Sequence, residues 1–231
     1  MVFDRDRPPE PVDALLCIAI VAELAPVLSL LHRFRLRSHR LGVGYLADVR
    51  VAVLRSGVGP AAAERRTRAT LERIIPRSVW SVGSCGALVD TLAVGTVVTA
   101  TSVLSSKQVP HAVSPVADLP SVVVHTVERP VFDPDRRAQV AQSGAQVCEM
   151  EAAGVVRAVG GRCPVHLLKI VSDQAGGTPD PAVALGSARA QALFHTRVEH
   201  LMRTVVAPQL ALRVRSTLAC LDAVSSGEPT G

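Results

Sequence analysis

Three acidic residues in the second half of the chain have side chains and spacing suited to sugar and nucleobase chemistry. Glu149 and Glu151 flank Met150, and Asp173 follows a largely apolar run at 166–171. A carboxyl group can donate a proton to a leaving group, and a carboxylate can accept hydrogen bonds from sugar hydroxyls. Together these residues predict a carboxylate-rich pocket, although no one of them specifies a reaction alone.

The hydrophobic pattern predicts strands that alternate with helices. Continuous apolar runs indicate strands buried on both faces, and apolar positions at helical spacing indicate amphipathic helices. The predicted strands cover 14–21, 44–46, 48–54, 78–82, 96–103, 121–127, 145–148 and 166–171. The predicted helices cover 22–33, 61–75, 134–142, 151–159 and 188–204, and residues 105–120 are predicted to form a loop.

This alternation predicts a single-domain, three-layer α/β fold over residues 1–231, in which helices flank a central mixed, largely parallel sheet. Residues 1–12 and 225–231 are expected to be flexible. Ligands bind beyond the carboxyl ends of strands in such sheets. The positions predicted at such ends are Glu23, glycine-rich turns at 57–59 and 83–86, the segment 149–151 and Asp173. Their convergence predicts one site at that edge.

Composition limits the class of protein. The five cysteines are an odd number, with no Cys-x-x-Cys pair and no histidine at ligand spacing, which excludes the usual zinc signatures and argues against a disulfide framework. Nothing in the sequence indicates a metal, and we expect no cofactor. The net charge of +5 comes from arginines spread along the chain. That distribution favours solvated faces over a polyanion site, and nucleic acid is not expected as a partner.

The N-terminal segment is charged and proline-rich, and no apolar run reaches the ~18 residues that a membrane span requires. We therefore expect neither a secretion signal nor a membrane span, and we predict a cytoplasmic location.

Four short motifs occur in a characteristic order. They are Ser-Gly-Val-Gly-Pro at 56–60, Val-Gly-Ser-Cys-Gly-Ala-Leu at 82–88 with Val-Gly-Thr-Val-Val at 94–98, Cys-Glu-Met-Glu-Ala-Ala at 148–153, and Val-Ser-Asp-Gln-Ala-Gly at 171–176. In this order the chain resembles the nucleoside phosphorylase and nucleosidase superfamily, particularly methylthioadenosine/S-adenosylhomocysteine nucleosidases and hopanoid-associated phosphorylases. Each motif is weak alone, but their order and spacing cover most of the chain.

The resemblance implies a role for each candidate carboxylate. Asp173 would be the general acid that protonates the departing purine, Glu151 would bind the ribose hydroxyls, and Glu23 would act as base or position the attacking water. From the residues alone, Asp173 could instead cap a helix and Glu23 could instead complement a helix dipole. Glu149 would bind through its backbone or face away.

The resemblance also implies contacts for the remaining candidates. Ser84, Cys85 and Gly86 belong to the turn that would hold the attacking water or phosphate. Met150 would pack on the nucleoside, although core filling is an equally common use of such a residue. Val131 and Phe132 would line the base pocket. In nucleosidases an adenine-stacking Phe precedes a helix, whereas here Pro130 occupies that place and Phe132 comes two positions later.

Four further departures from the family pattern bear on the reaction or on the pocket. Hexameric purine nucleoside phosphorylases carry an Arg before the second motif, where this chain has Ser81, and their N-terminal Gly-Asp-Pro loop is absent. Arg55 or Arg65 could bind phosphate only if the fold brought them to the 83–86 turn. The usual glycine before Glu23 is missing, and the segment between Val103 and Val124 is short. Water is therefore the favoured nucleophile.

The leading hypothesis is hydrolysis of the N-glycosidic bond of an adenine-type nucleoside with a 5′ substituent. The alternatives are a phosphate-dependent nucleoside phosphorylase and a related scaffold used for nucleoside binding or a biosynthetic step. The expected ligand is a small nucleoside, and the resemblance implies a homodimer or a higher homo-oligomer.

Overall fold

The computed structural model describes residues 8–106, 110–131, 133–174 and 188–226. Its strands are β1 (Glu10–Ile18), β2 (Leu31–Leu36), β3 (Leu41–Leu46), β4 (Val49–Arg55), β5 (Ile74–Ala87), β6 (Val97–Ser105), β7 (His111–Ala112), β8 (Ser121–Thr126), β9 (Val147–Glu149) and β10 (Val165–Asp173). Its helices are α1 (Val21–Leu28), α2 (Pro60–Leu71), α3 (Pro134–Ala141), α4 (Ala152–Val159), α5 (Ala188–Leu201) and α6 (Ala207–Ser226), and the π-helical turn Met202–Val206 joins α5 to α6.

One mixed sheet organises these elements. At its centre β1 pairs in parallel with β4 and β5, and β5 pairs in parallel with β10. The long strand β5 also pairs with β9. Further along, β9 pairs with β8, β8 pairs with β6, and β6 pairs with β10. These pairings close a five-stranded ring beside the open part of the sheet, where β3 and β2 form an antiparallel margin. The carboxyl ends of β1, β4, β5 and β10 consequently lie at one edge.

Helices cover both faces of the sheet, and alternating residues of β1 show how the two faces are divided. Leu15 and Cys17 belong to the core cluster that includes residues of α2 and α4. Ala14, Leu16 and Ile18 belong to the cluster that includes residues of α1, α5 and α6. Because successive strand residues point to opposite faces, a strand buried on both sides must be apolar throughout. The predicted α/β architecture of a sheet between helices is confirmed.

Several predicted boundaries are wrong. The helix predicted over 22–33 ends at Leu28, and Leu31 begins β2, where it pairs with Leu46 of β3. The apolar residues near position 30 fit both the helical and the strand spacing, and pairing with β3 makes this segment a strand. β1 already begins at Glu10, so the flexible N-terminus predicted over 1–12 is wrong for 10–12, and residues 1–7 lie outside the described part of the chain.

The end of the chain also differs from the prediction. The helix predicted to end at 204 passes through a π-helical turn and continues as α6 to Ser226. The flexible tail predicted over 225–231 is therefore wrong for 225–226, and residues 227–231 lie outside the described part. The buried side chains of Leu210, Val214 and Leu218 hold α6 against the sheet.

The prediction of a turn at the glycine-rich segment 83–86 is wrong. These residues form the last part of β5. Gly83 and Ser84 pair with Lys169 and Ile170 of β10, and Gly86 pairs with Cys148 of β9. Glycine is required at Gly83 for a different reason, since a Cβ there would lie 2.8 Å from the Glu23 carboxylate. The predicted loop at 105–120 contains the two-residue strand β7.

Candidate active site

A cavity of about 210 Å³ opens where the central strands end. Nine of the ten predicted site residues line it, and the tenth, Phe132, lies outside the described residues. The described lining residues are Ala19, Ile20, Glu23, Val58, Ser84, Cys85, Gly86, Val127, Pro130, Val131, Cys148, Glu149, Met150, Glu151, Ser172, Asp173, Phe194 and His195. The fold thus brings together residues that are distant in sequence.

Glu23 is held against the last part of β5. It lies in the first turn of α1, and only 4 % of its surface is exposed. The backbone N–H and the hydroxyl of Ser84 both donate to Glu23 Oε1 at 2.8 Å, and the Ile20 N–H reaches Oε2 at 3.4 Å. The carboxylate is therefore fixed at the cavity wall, with lone pairs left for a further donor.

Glu151 is fixed by the turn between β4 and α2. The N–H of Gly59 donates to Glu151 Oε1 at 2.9 Å. The turn can approach this closely because α4 presses on α2 at Gly154, where a Cβ would lie 2.1 Å from the Pro60 carbonyl oxygen. Burial, followed by the nearby carboxylates Glu149 and Glu23, raises the pKa of Glu151 to about 8.

Glu149 is a structural anchor in the cavity wall. Thr126 Oγ1 donates to its Oε1 at 2.6 Å, and the backbone N–H groups of Glu151 and Ala152 donate to Oε2 at 3.0 and 2.9 Å. Lys169 Nζ lies 3.0 Å from the same oxygen, with only 3 % of the lysine and 1 % of the glutamate side chain exposed. Burial by itself would lower the pKa of Lys169, but carboxylates led by Glu149 outweigh it and raise the pKa to about 12.

Asp173 ends β10 and is held from two sides. The Ser172 hydroxyl donates to Asp173 Oδ1 at 2.7 Å, and the Arg137 guanidinium forms an ion pair with Oδ2. Arg137 is itself fixed, because its Nε donates to the Val131 carbonyl at 2.9 Å and its Nη1 to the Gln174 carbonyl at 2.5 Å. The Arg137 side chain is 8 % exposed, whereas that of Asp173 is 31 % exposed. Asp173 therefore presents its carboxyl group to the cavity from a rigid support.

The remaining lining groups are mainly apolar. Met150 and Val131 belong to one hydrophobic cluster, and Pro130 lies beside them on the cavity wall. Burial raises the pKa of the Cys85 and Cys148 thiols, that of Cys148 to about 12. Both thiols are therefore neutral wall groups rather than nucleophiles.

Sequence reasoning missed Lys169, Arg137, Thr126 and the pair Phe194 and His195. A lysine inside an otherwise apolar strand was a usable signal for Lys169, since an unpaired charge is not buried in such a position. No local pattern identified Arg137, which lies on α3 far from Asp173 in sequence. Phe194 and His195 come from α5, which was predicted as an amphipathic helix without a site role.

Arg55 and Arg65, considered above as phosphate ligands, are not among the described residues that line the cavity. Within that same described set, no lysine or arginine lines it. Across the parts of the chain that the structure describes, no group of three or more His, Cys, Asp or Glu side chains could hold a metal ion. None of the helices described there is long and apolar enough to cross a bilayer.

Known proteins resemble this chain in sequence over part of its length. The Phosphorylase superfamily model matches residues 17–116. The 5′-methylthioadenosine/S-adenosylhomocysteine nucleosidases of Shewanella sp. (strain W3-18-1) and Shewanella baltica (strain OS185) are 43 % identical over 60 residues, 26 % of this chain. That match spans about a quarter of the relatives' own length, 26 % and 25 % respectively.

Solved structures extend the comparison to most of the chain. The nucleosidase of the same class from Colwellia psychrerythraea 34H superposes with a TM-score of 0.70 at 17 % identity, over 87 % of this chain and 96 % of that one. The resemblance to the nucleoside phosphorylase and nucleosidase superfamily is confirmed. Another structure with the superfamily fold, futalosine hydrolase of Helicobacter pylori strain 26695, gives a TM-score of 0.64 at 15 % identity, over 84 % and 97 % of the two chains. At these identities the superpositions establish the fold.

Proposed function

We propose that this protein is an N-ribosyl hydrolase that cleaves an adenine-type nucleoside carrying a 5′ substituent, releasing the free base. The observation that carries the proposal is the convergence of three separately anchored carboxylates, Glu23, Glu151 and Asp173, on one cavity. N-glycosidic hydrolysis needs three such functions: binding of the sugar, protonation of the base and activation of water.

Glu151 is the group proposed to bind the ribose. In its ionised form, which predominates above a pH of about 8 in the free protein, its carboxylate can accept hydrogen bonds from the sugar hydroxyls, and its attraction for the ring grows as positive charge develops at C1′. Gly59 holds one oxygen and leaves the other for the sugar. The interaction is therefore stronger in the transition state than in the ground state.

Asp173 is proposed to protonate the leaving base. A nucleobase anion is a poor leaving group, so proton transfer must accompany cleavage of the bond between C1′ and the ring nitrogen. Arg137 and Ser172 engage one oxygen each, which fixes the plane of the carboxyl group toward the cavity. The acid must be in its protonated form when the bond breaks.

Water is proposed as the nucleophile. Its oxygen would attack C1′ while Glu23, held by Ser84, accepts one of its protons. A phosphate dianion would need charge-assisted donors, preferably arginine, and no described lining residue is an arginine or lysine. The products are then the neutral free base and a sugar with a hydroxyl at C1′, and the proton that Glu23 takes from water balances the one that Asp173 gives to the base.

An adenine-type substrate is supported by the relatives. The Colwellia psychrerythraea structure was determined in complex with adenine, and that from Neisseria meningitidis, with a TM-score of 0.69 at 18 % identity, in complex with methylthio-immucillin-A. The apolar lining formed by Val127, Val131, Met150 and Phe194 suits a planar base and an apolar 5′ group.

The decisive experiment is incubation of the protein with methylthioadenosine, S-adenosylhomocysteine, 5′-deoxyadenosine and futalosine, with and without inorganic phosphate, followed by chromatography of the base. We expect base release from at least one substrate without phosphate, and loss of that release in Asp173→Asn. The matched control is Asp118→Asn, which alters an exposed aspartate. Release that requires phosphate would make the protein a phosphorylase, and binding without any release would make it a nucleoside-binding protein.

A further inference from the structure

Four arginines gather at the turn between β4 and α2 without a described carboxylate partner. This arginine cluster consists of Arg40, Arg55, Arg65 and Arg66. The backbone N–H of Arg55 donates to the Arg40 carbonyl at 2.8 Å, which brings the end of β4 beside the start of β3. Arg66 folds back from α2, and its Nη1 donates to the Ser56 carbonyl at 2.6 Å. The chain thus crosses this point three times and contributes arginine each time.

The cluster is electrostatically uncompensated within the described residues. Other partly buried arginines there have acidic partners: Arg37 pairs with Glu10, Arg157 with Glu64 and Arg137 with Asp173. No such ion pair involves any member of the arginine cluster. Burial and then the positive charges of Arg40, Arg65 and Arg55 lower the pKa of Arg66. Repulsion among like charges therefore destabilises this arrangement unless an anion offsets it.

Arg55 supplies an independent sign of a missing acceptor. Its Nε is buried and has no hydrogen-bond partner among the described residues. Leaving a buried charged donor unsatisfied costs more than leaving a neutral one, so native proteins rarely do so without a ligand. The Arg40 Nε, in contrast, donates to His39 Nε2 at 3.0 Å.

We propose that the arginine cluster binds a phosphate-class anion, either inorganic phosphate or the terminal phosphate of a small ester. Guanidinium groups match the oxygens of phosphate in paired, charge-assisted hydrogen bonds, and several arginines can share one dianion. This site is separate from the proposed nucleophile position, because none of its four arginines lines the cavity among the described residues.

The site adjoins the turn that holds Glu151. Arg66 contacts Ser56 and lies so close to Gly57 that a Cβ there would meet its Nη1 at 1.6 Å. Gly57 also has a φ of +75°, which favours glycine. Two residues later, the Gly59 N–H donates to Glu151. An anion bound to the arginine cluster would thus act on the turn at 56–59, which also holds Glu151, the residue proposed to bind the ribose.

The test is isothermal titration of inorganic phosphate into the full chain, in a buffer free of other polyvalent anions and at ionic strength kept constant with chloride. We expect saturable binding that chloride does not reproduce. Arg55→Met and Arg65→Met should each weaken it about tenfold, the loss of one charge-assisted contact. The control Arg203→Met removes an exposed arginine that pairs with Glu199, and it should leave phosphate affinity unchanged.

Arg65 is exposed on α2, so Arg65→Met should leave the fold intact and keeps the test valid even if Arg55→Met fails to fold. A second arm replaces inorganic phosphate with adenosine 5′-monophosphate, and tighter binding that both arginine variants weaken would identify the ester as the ligand. The proposal is overturned if phosphate binds no better than chloride. It is also overturned if binding survives in both arginine variants, or if Ser84→Ala rather than either of them abolishes it.

Discussion

Glu23 and Ser84, which are 61 positions apart in the chain, share one carboxylate oxygen: both the N–H and the hydroxyl of Ser84 donate to Glu23 Oε1 at 2.8 Å. The N-terminal turn of α1 is thereby tied to the last part of β5. A carboxylate held by two donors cannot rotate freely, so its remaining lone pairs point in fixed directions. This is the arrangement expected of a group that positions a reacting water molecule.

Replacing Glu23 should remove water activation while leaving the fold intact. Glu23→Gln keeps the shape and one acceptor oxygen for Ser84, but an amide cannot take up the proton of water. We expect the rate of base release to fall by about 10²–10⁴-fold, measured by chromatography under saturating substrate. Ser84→Ala should reduce it less, because the Ser84 N–H contact persists. Glu72→Gln, at an exposed glutamate, is the control, and a rate for Glu23→Gln equal to that control would contradict the assignment.

Arg137 should matter through Asp173 rather than through substrate binding. Arg137→Met removes the ion pair and the contacts to three backbone carbonyls, so Asp173 loses its fixed orientation. We expect a large loss in kcat, with KM changed much less, and Arg137→Lys should restore only part of it because the planar fork is lost. The neighbouring Arg136 is exposed, so Arg136→Met is the matched control. A defect confined to KM would rule out this positioning role.

Stability should depend on pH through Glu151. Its pKa is raised from 4.5 to about 8, chiefly by burial, so the folded chain holds this proton more tightly than the unfolded chain does. The contribution to stability is fully present below pH 4.5 and is lost as the pH rises through about 8. We expect Tm to decline between about pH 5 and about pH 8, and to decline less in Glu151→Gln. Parallel Tm profiles for the two proteins would show that Glu151 titrates normally.

The buried pair of Lys169 and Glu149 should contribute to folding rather than to chemistry. Lys169→Met leaves the Glu149 carboxylate buried without its counter-charge, and we expect the free energy of unfolding to fall by about 3–5 kcal/mol. Urea denaturation measures this change. Adding Glu149→Gln to Lys169→Met should recover part of the loss, because the uncompensated charge is then absent. A double variant no more stable than Lys169→Met alone would contradict this explanation.

Many residues of the candidate site could be predicted from the sequence because they lie in short segments with distinctive residue types. Glu149, Met150, Glu151 and Asp173 were identified from local spacing, and all line the cavity. Their immediate surroundings were less predictable. The segment 83–86 was predicted as a turn because it is rich in glycine, but its pairing with β10 and β9 makes it a strand. Backbone pairing between distant segments decided the outcome there, over local propensity.

The sequence by itself determined the alternation of strands and helices. It also determined which acidic residues lie at the carboxyl ends of the strands, since hydrophobic spacing and residue type are local properties. Tertiary structure alone decided which groups support those acids. Arg137 reaches Asp173 from helix α3. Lys169 neutralises Glu149 from a different strand, and the Gly59 N–H reaches Glu151 across 92 positions. The physical reason is that the ionisation and orientation of a carboxyl group depend on charges, donors and burial within a few ångströms, and the fold rather than chain order sets those neighbours.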